Sequence, residues 1–116
     1  MDTTILEYEE RIWDLTNESR KHMETINEAV YGTLSPEVYG DGALESHLKA
    51  LMALSIAIVQ GCGPCIISKT EQALKAGATV PQVTETCQVA VVMGGTLAWS
   101  NALTVFDYLQ AKGLLD

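Results

Sequence analysis

Two cysteines separated by two residues are the feature of this sequence best suited to chemistry. Cys62 and Cys65 lie in the run Gly61-Cys62-Gly63-Pro64-Cys65, between two apolar segments. At the start of a helix, unpaired backbone N–H groups and the positive end of the helix dipole stabilise a thiolate and lower its pKa below ~8.5. The partner cysteine is close enough to close a disulfide. The pattern therefore predicts a redox dithiol, with metal binding or incidental spacing as the alternatives.

Two further side chains are candidates for assisting this pair. Lys69 lies one helical turn beyond Cys65, where its ammonium would favour a thiolate by charge without serving as a general base. His47, in the preceding apolar segment, is a candidate displaced base, although a plain surface histidine at a helix start is the commoner situation.

The remaining cysteine and histidine offer little further chemistry. Cys87 lies among valines and is expected to be a small buried hydrophobe. With three cysteines and two histidines in the whole sequence, and no second CxxC, a four-ligand zinc site is not expected. We expect neither a metal nor another cofactor.

Composition narrows the class of protein. At 116 residues, with 47% hydrophobic residues, the chain is expected to form one domain over residues 1–116. A formal charge of −8 disfavours nucleic acid and anionic membrane surfaces as partners. The N-terminus lacks a basic segment followed by an apolar one, and the longest apolar run, residues 50–59, is half of the ~20 residues that span a bilayer. A cytoplasmic protein is therefore expected.

Apolar periodicity predicts helices throughout, and hence an all-α fold of about five to six helices. The first is expected over about residues 4–31, followed by a turn-rich connector over 34–42. Later helices are predicted over about 43–60, from 62–64 to Gly77, from Thr79 to the Gly94-Gly95 break, and over 96–112. Thr79 is a candidate N-cap and Pro81 fits the first turn that follows it.

Residues 43–106 resemble the carboxymuconolactone decarboxylase and alkylhydroperoxidase D-like superfamily. The resemblance is carried by an alanine- and leucine-rich helix, the CxxC, the run Ala73-Leu74-Lys75-Ala76-Gly77-Ala78-Thr79, and a helix ending in Gly94-Gly95. It implies an all-α bundle that assembles as a trimer or hexamer. For members with the CxxC it also implies peroxiredoxin-like reduction of peroxide or disulfide substrates, with a thiol or dithiol as electron donor.

The sequence departs from that redox branch at two positions. A histidine usually follows the second cysteine by four residues, where this chain has Lys69. A glutamate usually precedes the first cysteine by twelve residues, where this chain has Ala50. Because these two groups form the family's proton relay, the standard relay is absent here.

Three functions stay open on the sequence. The first is a thiol peroxidase or disulfide reductase acting through Cys62 and Cys65. The second is a non-catalytic member that binds a small molecule or senses redox state. The third, a decarboxylase of an anionic lactone, is disfavoured by the few basic residues near the motif. The attacking cysteine is open as well, since a helix start favours Cys62 as the more exposed thiol and the family resemblance favours Cys65.

Overall fold

The computed structural model describes residues 1–115, and every regular element among them is helical. The α-helices are α1 (Thr4–His22), α2 (Glu24–Ile26), α3 (Ser35–Tyr39), α4 (Ser46–Gln60), α5 (Gly63–Lys75) and α6 (Val80–Ala111). A π-helical segment, Asn27–Leu34, joins α2 to α3. The all-α fold predicted from periodicity is confirmed.

The hydrophobic core lies between α4, α5 and α6. Each helix contributes fully buried aliphatic side chains, among them Leu54 and Ile58 from α4, Ile66 from α5, and Val83 and Val105 from α6. Burying a side chain of this size stabilises the fold by about 1.5–3 kcal/mol. These three helices therefore fix the position of the residues that connect them.

A left-handed residue ends α4 and aims the chain into α5. Gly61 has φ 76° and ψ 28°, a conformation that a residue with a Cβ adopts only at a cost. A Cβ at this position would lie 3.2 Å from Nδ2 of Asn101 on α6. Asn101 Nδ2 itself donates to the carbonyl of Ile58 at 2.9 Å, so α6 satisfies part of the open C-terminus of α4.

Helix α6 begins with the predicted cap. Thr79 Oγ1 accepts from the Gln82 N–H at 3.2 Å, and Gln82 Oε1 accepts from the Thr79 N–H at 2.9 Å. The predicted break is present at Gly95, whose φ of 74° and ψ of −160° divide α6 into two halves. By length and composition α6 is able to cross a bilayer, but it also supplies core residues, so this helix is weak evidence for a membrane.

The N-terminal segment differs from the predicted single helix. At Met23, φ −128° and ψ 52° interrupt the helix, and the chain then continues through α2, the π-helical segment and α3. The stretch expected to be a connector from residue 34 onward is therefore helical as far as Tyr39. The turn-rich part is confined to residues 40–45.

Helix α1 is fixed to the rest of the molecule by few buried side chains. Ile5 packs with Ile67 of α5 and Tyr108 of α6 in a small cluster separate from the main core. Tyr8 and Leu15 follow Ile5 at helical spacing along one side of α1, an apolar stripe that also carries His22, and all three are exposed. The apolar stripe of α1 is thus largely unburied within one chain.

Candidate functional site

The two cysteines of the motif form a disulfide at the N-terminus of α5. Their Cα atoms are 5.2 Å apart. Cys62 is the N-cap residue, and its Sγ accepts a hydrogen bond from the Cys65 N–H at 3.3 Å. Pro64 lies in the first turn, where its missing N–H leaves no donor unpaired. The predicted position of the pair at a helix start is confirmed.

The two sulfur-bearing residues differ in exposure. Cys65 is exposed and Cys62 is half-buried. The expectation that Cys62 is the more exposed of the pair is therefore wrong. The physical reason is that Cys62 lies at the junction of α4 and α5, where its N–H also donates to the Ala57 carbonyl at 3.1 Å.

Cys65 lines a cavity of about 530 Å³ between α1 and α5. The apolar part of its wall comes from Ile12 and Trp13 of α1 and from Pro64 and Ile67 of α5. Cys62 is not part of the wall. A substrate in this cavity would therefore meet Cys65 first.

Lys69 lines the same cavity, one turn along α5 from Cys65. Its Nζ donates to Gln72 Oε1 at 2.9 Å and lies 4.4 Å from the centre of the Tyr39 ring. The side-chain amide of Gln72 and the ring of Tyr39 on α3 thus position the ammonium. Its predicted electrostatic effect on the dithiol stays a prediction.

His47 lies apart from the cavity wall. It is in the first turn of α4, half-buried, with Nδ1 3.5 Å from Glu45 Oε2. Ala50, at the position of the family glutamate, is fully buried in the core. The role of His47 as a displaced base stays a prediction, and the structure does not bring it to the cavity with Cys65.

A pair of carboxyl groups that the sequence analysis did not single out lies in the cavity wall. Glu9 of α1 and Glu71 of α5 lie close enough for their carboxyl groups to interact, and Glu9 Oε2 is buried without a hydrogen-bond partner within residues 1–115. Burial and the contact with Glu71 raise the pKa of Glu9. For Glu71, burial acts in the same direction, but hydrogen bonds from Glu9 and Lys75 outweigh it and lower the pKa.

Two further groups complete this cluster. Lys75 Nζ lies 2.6 Å from Glu71 Oε1, and the Tyr108 hydroxyl donates to Glu71 Oε2 at 3.1 Å. Burial and the neighbouring carboxylate charge raise the pKa of Tyr108. The pKa of Glu9 is thus shifted upward and that of Glu71 downward, which makes Glu71 the more acidic of the two. No sequence spacing signals this contact, because Glu9 and Glu71 lie on different helices.

Basic side chains are more numerous at the cavity than the sequence around the motif indicates. Arg20, Lys69 and Lys75 line it, three of the seven basic residues of the chain. Arg20 comes from α1 and stacks 4.3 Å from the centre of the Tyr31 ring. The expectation of few basic groups near the motif is therefore wrong, because the fold brings basic residues of α1 and α5 to the same cavity.

Cys87 and the residues after the double glycine lie elsewhere. Cys87 is 3% exposed in the core, and burial raises its thiol pKa to about 11, as expected for a buried small hydrophobe. Trp99, which follows the double glycine, is 63% exposed on α6 and does not line the cavity. Asn101 is the α4 capping residue described above.

Comparison with known proteins agrees with this architecture. The sequence model of the carboxymuconolactone decarboxylase family matches residues 22–108. An uncharacterized protein of Cupriavidus necator is 38% identical over 74 residues, which cover 61% of this chain and 66% of that protein. An uncharacterized protein of the cox locus in Paracoccus denitrificans is 38% identical over 80 residues, or 66% of this chain and 72% of that protein.

The fold also matches a solved structure over nearly its whole length. A carboxymuconolactone decarboxylase family protein from Legionella pneumophila superposes with a TM-score of 0.84 at 25% identity, covering 94% of this chain and 96% of that one. The family match includes α4, α5 and the CxxC between them. The chain belongs to the carboxymuconolactone decarboxylase family.

Proposed function

We propose that this chain is a thiol–disulfide oxidoreductase with peroxiredoxin-like activity, in which Cys65 attacks the substrate and Cys62 resolves the intermediate. The observation that carries the proposal is the Cys62–Cys65 disulfide at the start of α5, with Cys65 on the wall of a cavity. A pair that closes a disulfide stores two electrons, and a cavity beside it gives a small substrate access. A CxxC pair is typical of redox or metal chemistry, and the closed disulfide favours the redox use.

With a peroxide, the Cys65 thiolate attacks one oxygen and the O–O bond breaks. This leaves a sulfenic acid on Cys65 and releases an alcohol or water after protonation. The Cys62 thiol then displaces hydroxide, which leaves as water, and the Cys62–Cys65 disulfide forms. The peroxide gains two electrons and the dithiol loses two. A thiol or dithiol donor restores the reduced pair by exchange.

With a disulfide, the Cys65 thiolate attacks one sulfur and releases the first thiolate of the substrate. Cys62 then attacks Cys65 Sγ and releases the second. Both routes need a proton acceptor for the thiol and a proton donor for the departing group. Because Ala50 and Lys69 replace the family relay, we propose that the Glu9–Glu71 pair, in the same cavity wall, exchanges these protons through solvent.

Single cysteine variants test the order of attack. Cys62→Ser protein treated with one equivalent of peroxide should accumulate a sulfenic acid on Cys65, captured by dimedone and located by mass spectrometry. Cys65→Ser protein should react slowly and capture little dimedone. If the label instead accumulates on Cys62 in Cys65→Ser protein, the order is reversed, and if neither variant reacts the peroxidase proposal fails.

A redox-sensing or binding role is the second candidate. It is favoured by one observation: Lys69 Nζ is bound to Gln72 and lies over Tyr39, so the position of the family histidine holds no proton acceptor. Steady-state turnover separates the two functions. With excess dithiothreitol, a binder should show no cysteine-dependent consumption of peroxide, and a sensor should consume it no faster than an ordinary cysteine does, since its dithiol is oxidised slowly and then reduced again.

We also propose that the protein is a homo-oligomer, a trimer or hexamer as the family resemblance implies. Large apolar side chains are exposed along the outer faces of α4 and α6, including Met52, Ile56, Val92, Met93, Leu97 and Leu103. Apolar patches of this extent mark association surfaces. Light scattering should give a multiple of the 12.5 kDa chain mass, and Leu97→Glu should lower it while Glu85→Lys on the exposed start of α6 should not. A monomeric wild-type protein would contradict the proposal.

A further inference from the structure

The cationic groups in the dithiol cavity are not all matched by carboxylates. Lys75 pairs with Glu71 at 2.6 Å. Within residues 1–115, no carboxylate oxygen lies within 4.0 Å of the Arg20 guanidinium or of Lys69 Nζ. Each of these two cations instead stacks on a tyrosine, at 4.3 Å from the Tyr31 ring centre and 4.4 Å from that of Tyr39.

One hydrogen-bond donor of the Arg20 side chain has no partner within residues 1–115. Its Nε is buried and has no hydrogen-bond partner. Leaving a buried donor on a charged group unpaired is costly. A ligand in the cavity would reach the terminal N–H groups of the guanidinium, to which a carboxylate makes charge-assisted bonds. The Tyr31 ring contacts the guanidinium but accepts no hydrogen bond from its N–H groups in the ring plane, so the fork of donors is free for a bidentate contact with a carboxylate.

Apart from three basic residues and two glutamates, the cavity wall is uncharged. Ile12, Trp13 and Ile67 supply apolar surface, and the cavity volume is about 530 Å³, enough for a small organic molecule. The one remaining acidic group, Glu9, contacts Glu71, which favours its protonated form. Binding a cation in this cavity would place it against Arg20, Lys69 and Lys75.

We propose that the cavity binds a small apolar molecule bearing a carboxylate, held by Arg20 and Lys69 with its reactive disulfide or peroxide toward Cys65. The inference rests on the proposed function for the reactive group and names the substrate class of that same site. The carboxylate specificity is unusual for this chain, because its overall charge of −8 repels anions in general. A local preference for anions is therefore attributable to the cavity.

Three disulfides of similar size and different charge test the reaction. Reduced protein is mixed with dithiodipropionate, bis-hydroxyethyl disulfide or cystamine, and formation of the Cys62–Cys65 disulfide is followed by rapid acid quench and mass spectrometry. Each rate is divided by that of the same disulfide with free dithiothreitol, so that intrinsic reactivity cancels. The normalised rate should be highest for dithiodipropionate, by about tenfold over bis-hydroxyethyl disulfide, and lowest for cystamine.

Matched variants assign the preference to the cavity. Arg20→Gln and Lys69→Gln should each lower the ratio of the dithiodipropionate rate to the bis-hydroxyethyl disulfide rate by about tenfold, and because this ratio is taken within one variant, a general change in Cys65 reactivity cancels. Arg11→Gln and Lys21→Gln remove the same charges from exposed positions of α1 outside the cavity and should retain the preference. Equal normalised rates for the three disulfides, or equal effects of the cavity and control variants, would overturn the inference.

A binding measurement keeps this inference separate from the proposed function. The chain has two tryptophans, so Trp99→Phe leaves Trp13 in the cavity wall as the only indole. Oxidised Trp99→Phe protein is titrated with hexanoate or hexylammonium, and Trp13 emission is recorded. Saturable change with hexanoate alone, weakened about tenfold by Arg20→Gln, supports the carboxylate site even if no disulfide reacts. No response to hexanoate, or an equal response to hexylammonium, contradicts it.

Discussion

The start of α5 and the first half of α6 place the same side chain in opposite surroundings. Cys65 lies on an exposed first turn, beside a cavity that contains three basic residues. Cys87 lies in the core, 3% exposed, and desolvation raises its thiol pKa to about 11. A thiolate is the reactive form of cysteine, so the difference in environment assigns chemistry to one position and packing to the other. The presence of a cysteine alone therefore predicts little about redox function.

The largest expected effect is on disulfide exchange. Cys65→Ser should lower the rate of peroxide or disulfide consumption by about a thousandfold or more, because the attacking group is removed. Cys87→Ser should leave the rate within about twofold, since Cys87 does not line the cavity. Stopped-flow consumption assays on folded variants, checked by circular dichroism, measure both. A large loss in Cys87→Ser without loss of folding would break the comparison.

Alkylation measures the thiolate content of Cys87 directly. Its pKa of about 11 lies above the ordinary 9.0, so the folded protein should contain about a hundredfold less Cys87 thiolate at a pH near 8 than the unfolded chain. Iodoacetamide should therefore modify Cys87 at least that much more slowly in folded Cys62→Ser/Cys65→Ser protein than in the same protein with denaturant. Comparable rates would show that Cys87 is accessible as a thiolate.

A substitution in the turn before the dithiol should lower the free energy of unfolding more than a substitution at Cys87. Gly61→Ala places a Cβ on a residue with φ 76° and close to Asn101, so we expect a loss of about 1–2 kcal/mol in the free energy of unfolding. Cys87→Ala removes one buried sulfur and should cost about 1 kcal/mol. Chemical denaturation of each variant measures the two costs. Gly61→Ala should also slow Cys62–Cys65 disulfide formation, whereas Cys87→Ala should not.

The smallest expected effect is on the pH dependence of folding stability, which should differ between the α1–α5 contact and the surroundings of Cys87. The pKa of Glu9 is raised, so its contribution to stability is present below about 4.5 and is lost as pH rises through the raised value. Glu71 acts oppositely, since its lowered pKa gives stability that is present above 4.5 and is lost as pH falls through the lowered value. Cys87 contributes below 9.0 and loses its contribution as pH rises to about 11.

Two neutral variants isolate these pH windows. Glu9→Gln should remove the decline in stability above 4.5 that Glu9 causes, and Cys87→Ala should remove the alkaline decline between 9.0 and about 11. Melting temperatures across pH measure both. An unchanged profile in Glu9→Gln protein would show that the contact with Glu71 does not couple proton binding to folding.

Local signals in the sequence determined most of the helical core. Gly61, the Thr79 cap with Pro81, and the Gly94-Gly95 break each act within a few residues, so their positions could be predicted and are confirmed. The CxxC at the start of α5 belongs to the same class, because a cap, a proline and a glycine specify that turn locally. Burial of Cys87 could be predicted as well, since its apolar neighbours share one helix.

Contacts between helices distant in the sequence were decided only by the tertiary structure. The break at Met23 and the π-helical segment after it have no strong local signal, and they bring Tyr31 to the cavity, where its ring contacts Arg20 of α1. The meeting of Glu9 with Glu71, and the greater exposure of Cys65 over Cys62, depend on how α1 and α4 pack on α5. The sequence by itself determined that a dithiol begins a helix. Packing decided which sulfur meets the cavity and which charges surround it, because these depend on distances between elements that no local pattern encodes.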